Sequence, residues 1–103
     1  MALPVSRDAI IEAHQRIAPY IRRTPLMKLN DRAFGLECAV TFKLEYLQHA
    51  GSFKSRGAFN TLIKKATSKT AVTAASGGNH GAAVAFAARA LGLPAKIFVP
   101  EIS

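Results

Sequence analysis

The chain has 103 residues, half of them apolar, and 14 Lys and Arg against 6 Asp and Glu give a formal charge of +8. That length is one small domain or a piece of a larger one, and the apolar share excludes a disordered chain. The basic residues are scattered, with pairs such as Arg22-Arg23 and Lys64-Lys65 as the longest runs, so no nucleic-acid-binding tail is read.

No helix-turn-helix, finger or aromatic RNA-binding signature accompanies that charge. The single cysteine, Cys38, is expected to be buried filler, and no Cys/His cluster has metal-ligand spacing. The N-terminus lacks a charged-then-apolar leader pattern. The longest apolar run, Gly81 to Ala88, is far short of a membrane span. The expectation is a soluble cytoplasmic protein with no metal, nucleic-acid or membrane partner.

In chain order, Ser6 is a good N-cap. Ile10, Ile11, His14, Ile17 and Ala18 then recur at helical spacing, and Pro19 closes that helix. Arg23-Thr24-Pro25-Leu26 is extended, because the residue before proline avoids the helical region. Residues 27–37 are read as a connection, with room for a helical turn. The alternating stretch 39–45 predicts a strand. Ala58, Phe59, Leu62, Ile63 and Ala66 predict a helix from about Lys54 to Ala66, and Thr67-Ser68-Lys69 a loop. Thr70 to Ala75 is of strand length, and Gly77 to Gly81 is a turn. An alanine-rich helix from about His80 to Leu91 is apolar nearly all round, so it should be buried. Gly92 stops it, and Ala95 to Val99 is a strand that Pro100 ends. Strand, helix, strand, helix, strand implies an α/β fold with an open parallel sheet and crossover helices. Because such a sheet needs further strands and helices on both faces, a piece of a larger chain is expected.

Two stretches carry chemistry. In Gly51-Ser52-Phe53-Lys54-Ser55-Arg56-Gly57-Ala58 a lysine stands at a loop-to-helix junction beside an aromatic ring and small residues. The positive end of the helix dipole and partial burial both work against an ammonium there, which suits attack on an aldehyde. On composition alone, a solvated first-turn Lys54 with Phe53 in the core reads as well or better. In Ala75-Ser76-Gly77-Gly78-Asn79-His80-Gly81, the glycines free backbone N–H groups at a helix start, a natural carboxylate or phosphate site. It lies at the carboxyl end of a strand, where open α/β sheets bind ligands. The spacing is neither a dinucleotide fingerprint nor a Walker loop. The plain alternative is a Gly-rich turn with Asn79 as N-cap.

Taken together with Arg23-Thr24-Pro25-Leu26, Lys43-Leu44-Glu45, Gly92-Leu93-Pro94-Ala95 and Ile97-Phe98-Val99-Pro100, these stretches resemble fold-type II pyridoxal-phosphate enzymes. The likeness is to the threonine/serine dehydratase and serine racemase branch, over nearly the whole chain from Ile10 onward. The resemblance implies pyridoxal 5'-phosphate as cofactor, with Lys54 forming the Schiff base and later moving the α-proton. It implies that Phe53 lies against the ring and Asn79 bonds its 3'-hydroxyl, both binding cofactor. It places Ser76, Gly77, Gly78, Asn79 and His80 around the substrate, with the 76–81 loop gripping its carboxylate. The implied reaction is β-elimination from a small hydroxy amino acid, threonine or serine, to a 2-oxo acid and ammonia. The racemase branch has a serine where this chain has Gly77, which favours one-sided chemistry and hence a dehydratase. A serine racemase, a threonine synthase or cysteine synthase relative, and a non-catalytic anion-binding module are the alternatives.

In the family, the glycine-rich phosphate loop and the residue facing the pyridine nitrogen lie further along the chain. These 103 residues alone should therefore bind the cofactor poorly and not turn over substrate. Residues 1–68 are expected to join a large cofactor domain and 69–103 to begin a smaller one that closes over substrate. A homo-oligomer is expected of the full-length form.

Overall fold

The computed structural model describes residues 4–67 and 69–102. Ser68 of the expected loop, and the extreme ends of the two expected domains, lie outside the described residues. The first helix, α1, runs Arg7–Ile17, and the Ser6 side chain accepts from the Ala9 N–H at 3.1 Å, as an N-cap should. Of its apolar positions only Ile17 is buried, while Ile10 stays 58% exposed. The periodicity was sufficient to form the helix, but among the described residues nothing covers most of its apolar face.

Strand β1, Leu26–Lys28, pairs antiparallel with β2, Thr41–Lys43, in the register Leu26 with Lys43, Met27 with Phe42 and Lys28 with Thr41. Between them Arg32 and Phe34 take positive φ, at 61° and 57°, and Gly35 takes 72°, which turns the chain back. The strand expected over 39–45 therefore pairs antiparallel with β1 and not with the parallel strands that follow. Residues 27–28 belong to a strand rather than a connection, and the strand expected over 39–45 spans three residues. The reason is local. Pro25 holds its neighbourhood extended, so β1 is available as the nearest partner for β2. After β2, 3-10 turns at Glu45–Leu47 and His49–Gly51 redirect the chain before α2, Lys54–Lys65.

The parallel unit that does form is β3 (Val72–Ala75), α3 (Asn79–Ala90) and β4 (Ala95–Phe98), with Val72 opposite Ala95 and Ala75 opposite Phe98. Helix α3 ends on Gly92 at φ 71°. The Leu93 N–H reaches the Ala88 carbonyl at 2.8 Å and the Gly92 N–H reaches that of Arg89 at 3.1 Å, which is the Schellman pattern.

The core lies where α2 meets α3 and β3, and comprises Ile17, Ala58, Phe59, Val72, Ala83, Val84, Ala87 and Ala88. Phe59 is fully buried, stacked on Tyr20 at 5.3 Å and edge-on to Phe86 at 6.1 Å. Helix α3 is buried on one face only: Ala82, Phe86 and Ala90 are exposed. An alanine-rich sequence is apolar all round without being enclosed all round. Cys38 is exposed, on the connection leading into β2, and is not core filler.

Candidate active site

Lys54 is the first residue of α2, and Phe53 is its N-cap without a side-chain cap bond. The backbone around Lys54 is held by three polar tethers. The buried Ser52 hydroxyl accepts from the Lys54 N–H at 3.3 Å. The fully buried Ser55 hydroxyl donates to the His49 carbonyl at 2.6 Å. Arg56 grips Glu45 side-on, Nε to Oε2 at 2.8 Å and Nη2 to Oε1 at 2.9 Å. The Lys54 side chain itself is exposed, not partly buried as expected. Phe53 is 62% exposed, which removes the reading of it as core.

Both residues line a cleft of about 610 Å³. Its other walls are Gly57 and Ala58 of α2, Thr73 and Ala74 of β3, and His80 and Val84 of α3. The fold therefore brings Lys54, Phe53 and His80 to one space, although 26 positions separate the lysine from the histidine in sequence. An accessible primary amine beside an exposed flat ring, with Gly57 and Ala58 small in the following turn, fits an aldehyde cofactor carried on a planar ring.

The Ser76–Gly81 stretch is a strand-to-helix turn, as read from the sequence. The Ser76 hydroxyl accepts from the Gly78 N–H at 3.2 Å. Gly78 is the N-cap and Asn79 the first helical residue, with no side-chain cap bond, so Asn79 is not the cap. Ser76, Gly77 and Gly78 border a separate open hollow of about 310 Å³, whose floor includes Ile97 and Val99. Asn79 lines neither space.

Two features of the site were not singled out for function from the sequence. One is the polar cluster behind α2. The Thr24 hydroxyl donates to Glu45 Oε1, and Lys43 Nζ donates to the Thr24 carbonyl at 3.2 Å. The Arg56 hydrogen bonds hold the Glu45 carboxyl at about 2, against the ordinary 4.5; burial opposes this, and Thr24 and the positive charges of Arg56 and Lys43 assist. Arg56 is raised in turn by its bond to Glu45. The only signal was that three of the quoted motifs between them carry all four of these polar residues. The other feature is Gly81: a Cβ there would stand 3.0 Å from Ile97 Cγ2 and 3.2 Å from both Ser76 Cβ and the Ser76 carbonyl oxygen. Its bare backbone sets how closely α3 lies on the sheet.

A further aromatic contact joins the two halves. His49 stacks on Phe86 of α3 at 4.6 Å and 18°. Burial, and then the positive charge of Arg22, push the His49 imidazole below its ordinary 6.5.

Residues 17–103 match the family described as pyridoxal-phosphate dependent enzyme. The chain is 42% identical over 95 residues to a serine racemase of Arabidopsis thaliana, covering 90% of this chain and 29% of that protein. It is 39% identical over 101 residues to the catabolic L-threonine dehydratase TdcB of Escherichia coli K12, covering 96% of this chain and 31% of that protein. The solved structure of maize serine racemase superposes with a TM-score of 0.85 at 41% identity, over 98% of this chain and 32% of that one. The chain belongs to the pyridoxal-phosphate dependent enzymes, and its α/β fold is that of the fold-type II members. It spans about a third of the length of the relatives it matches. Among the described residues no group of acidic, histidine or cysteine side chains could hold a metal ion, and no helix is long and apolar enough to cross a membrane.

Proposed function

We propose that the full-length protein is a dehydratase (ammonia-lyase) that removes water from threonine or serine by β-elimination. The observation that carries this reading is the shared cleft of Lys54, Phe53 and His80 at the meeting of α2, β3 and α3. Dehydratase and racemase relatives of similar identity support the substrate class. When bound, the cofactor supplies the electron sink that a carbanion at the α-carbon needs.

Lys54 would hold the cofactor through Nζ. With substrate bound in its place, the same Nζ would take the α-proton and return it to the β-hydroxyl as the Cβ–O bond breaks and water leaves. Hydrolysis of the released enamine would give the 2-oxo acid and ammonia. Phe53 would pack against the cofactor ring and Asn79 would hold its 3'-hydroxyl. Ser76, Gly77, Gly78 and His80 grip the substrate carboxylate with the amides at the start of α3, where the helix dipole favours an anion.

Gly77 separates the dehydratase from a racemase. It has no side chain to deliver or accept a proton on the face of the α-carbon opposite Lys54. One base on one side favours elimination over inversion. In this reading, residues 1–68 join the cofactor domain and 69–103 begin the smaller one, with His49 and Phe86 in contact across the division. The enzyme works in solution in the cytoplasm as a homo-oligomer.

The test is to supply L-serine and L-threonine to the cofactor-loaded full-length polypeptide and follow 2-oxo acid and D-isomer together. Elimination should exceed racemisation at least tenfold. Racemisation at a comparable rate overturns the Gly77 argument, and neither product overturns the reading.

A further inference from the structure

A second cleft, of about 600 Å³, shares Arg56 with the Lys54 cleft but is lined by none of the residues assigned above to cofactor or substrate. It is lined by His14 and Ile21 from α1 and the segment after it, by Arg22 and Arg23, by Lys43 of β2, and by Arg56 of α2. Four cationic side chains thus converge on one space. Among the described residues the ion pair is Arg56 with Glu45; Arg22 and Arg23 form none, and Lys43 feels the Glu45 charge without forming an ion pair with it.

These cations are held in place. The Arg22 backbone is clamped at both ends by Gln48, which is 2% exposed: its Oε1 accepts from the Arg22 N–H and its Nε2 donates to the Arg22 carbonyl, each at 2.9 Å. Arg22 Nη1 is tethered to the Leu47 carbonyl at 3.1 Å, and Lys43 Nζ to the Thr24 carbonyl at 3.2 Å. Arg56 is fixed by Glu45. Holding like charges together raises the energy of the empty cleft, and a multivalent anion relieves it. The guanidinium forks and the width of the space suit phosphate better than a single carboxylate.

We propose that this cleft binds a multivalent phosphate anion, as a polyphosphate or a phosphate monoester, at a site separate from the Lys54 cleft. The inference does not depend on the proposed reaction. Inorganic pyrophosphate and glycerol phosphate, titrated separately by calorimetry into the cofactor-saturated full-length polypeptide, distinguish the two sources. At least one should bind at low salt, weaken as salt rises, and leave the cofactor absorbance unchanged. The double variant R22A/R23A should bind it at least tenfold more weakly. Should that variant fail to show native circular dichroism, Arg23→Gln alone, whose side chain makes no hydrogen bond among the described residues, should weaken binding at least threefold. Absence of binding by both anions in the unaltered protein, or unchanged affinity in the folded variant, overturns the proposal.

Discussion

Arg56 and Glu45 meet through two hydrogen bonds of 2.8 and 2.9 Å, and so fasten the first turn of α2, two residues from Lys54, to the 3-10 turn that follows β2. The pair is only partly exposed, at 28% and 19%. Glu45 also receives the Thr24 hydroxyl, so one carboxylate ties together three segments that are distant in sequence.

Glu45→Gln should destabilise the full-length protein by about 1–3 kcal/mol, since it leaves Arg56 without its counter-charge. The carboxyl is depressed in the fold, from 4.5 to about 2. The stability it contributes is therefore present above about 4.5 and lost as pH falls toward about 2. Urea midpoints measured across that interval should fall more steeply in the unaltered protein than in the variant. Parallel curves would remove the pair from this role.

His49 titrates with the same sign in a higher window. Its imidazole lies below 6.5 in the fold because burial and Arg22 disfavour the charged form. Its neutral stack on Phe86 should contribute stability above about 6.5 that declines as pH drops below it. His49→Phe should keep the stack and abolish the decline, as read by thermal unfolding between neutral and mildly acid pH.

Gly81→Ala should cost about 1–3 kcal/mol, because the added methyl meets Ile97 Cγ2 at 3.0 Å and the Ser76 backbone at 3.2 Å. Ile97→Ala in the same chain should relieve the side-chain contact but not the backbone one. Substrate KM should rise in Gly81→Ala, since the start of α3 shifts with it. An unchanged melting temperature and KM would show that α3 accommodates the methyl freely.

The parts of the fold legible in the sequence were those with a local cause. Ser6 caps α1 by its own hydroxyl, Gly92 ends α3 by its positive φ, and the apolar spacing of Ala58, Phe59 and Leu62 places α2. What depended on remote partners was not legible. Lys43 in β2 could have faced any strand, and it faces Leu26 because Pro25 and the turn at Arg32–Gly35 fold that strand back upon it. Nothing local marks Glu45 as the partner of Arg56, 11 residues away across two 3-10 turns. The plain alternative of Asn79 as a cap rests on a side chain that suits the role, yet Gly78 takes the position and Asn79 starts the helix. At the site, the common cleft of Lys54 and His80 followed from packing α2 on α3, which no spacing rule specifies.

The central claim is that the amine at the head of α2 carries the cofactor. Borohydride reduction of the cofactor-loaded full-length polypeptide, followed by peptide mapping, tests it directly. The label should sit on Lys54, and Lys54→Ala should lose both the label and the visible absorbance of bound cofactor. A label on another lysine, or an unchanged spectrum in Lys54→Ala, would contradict it.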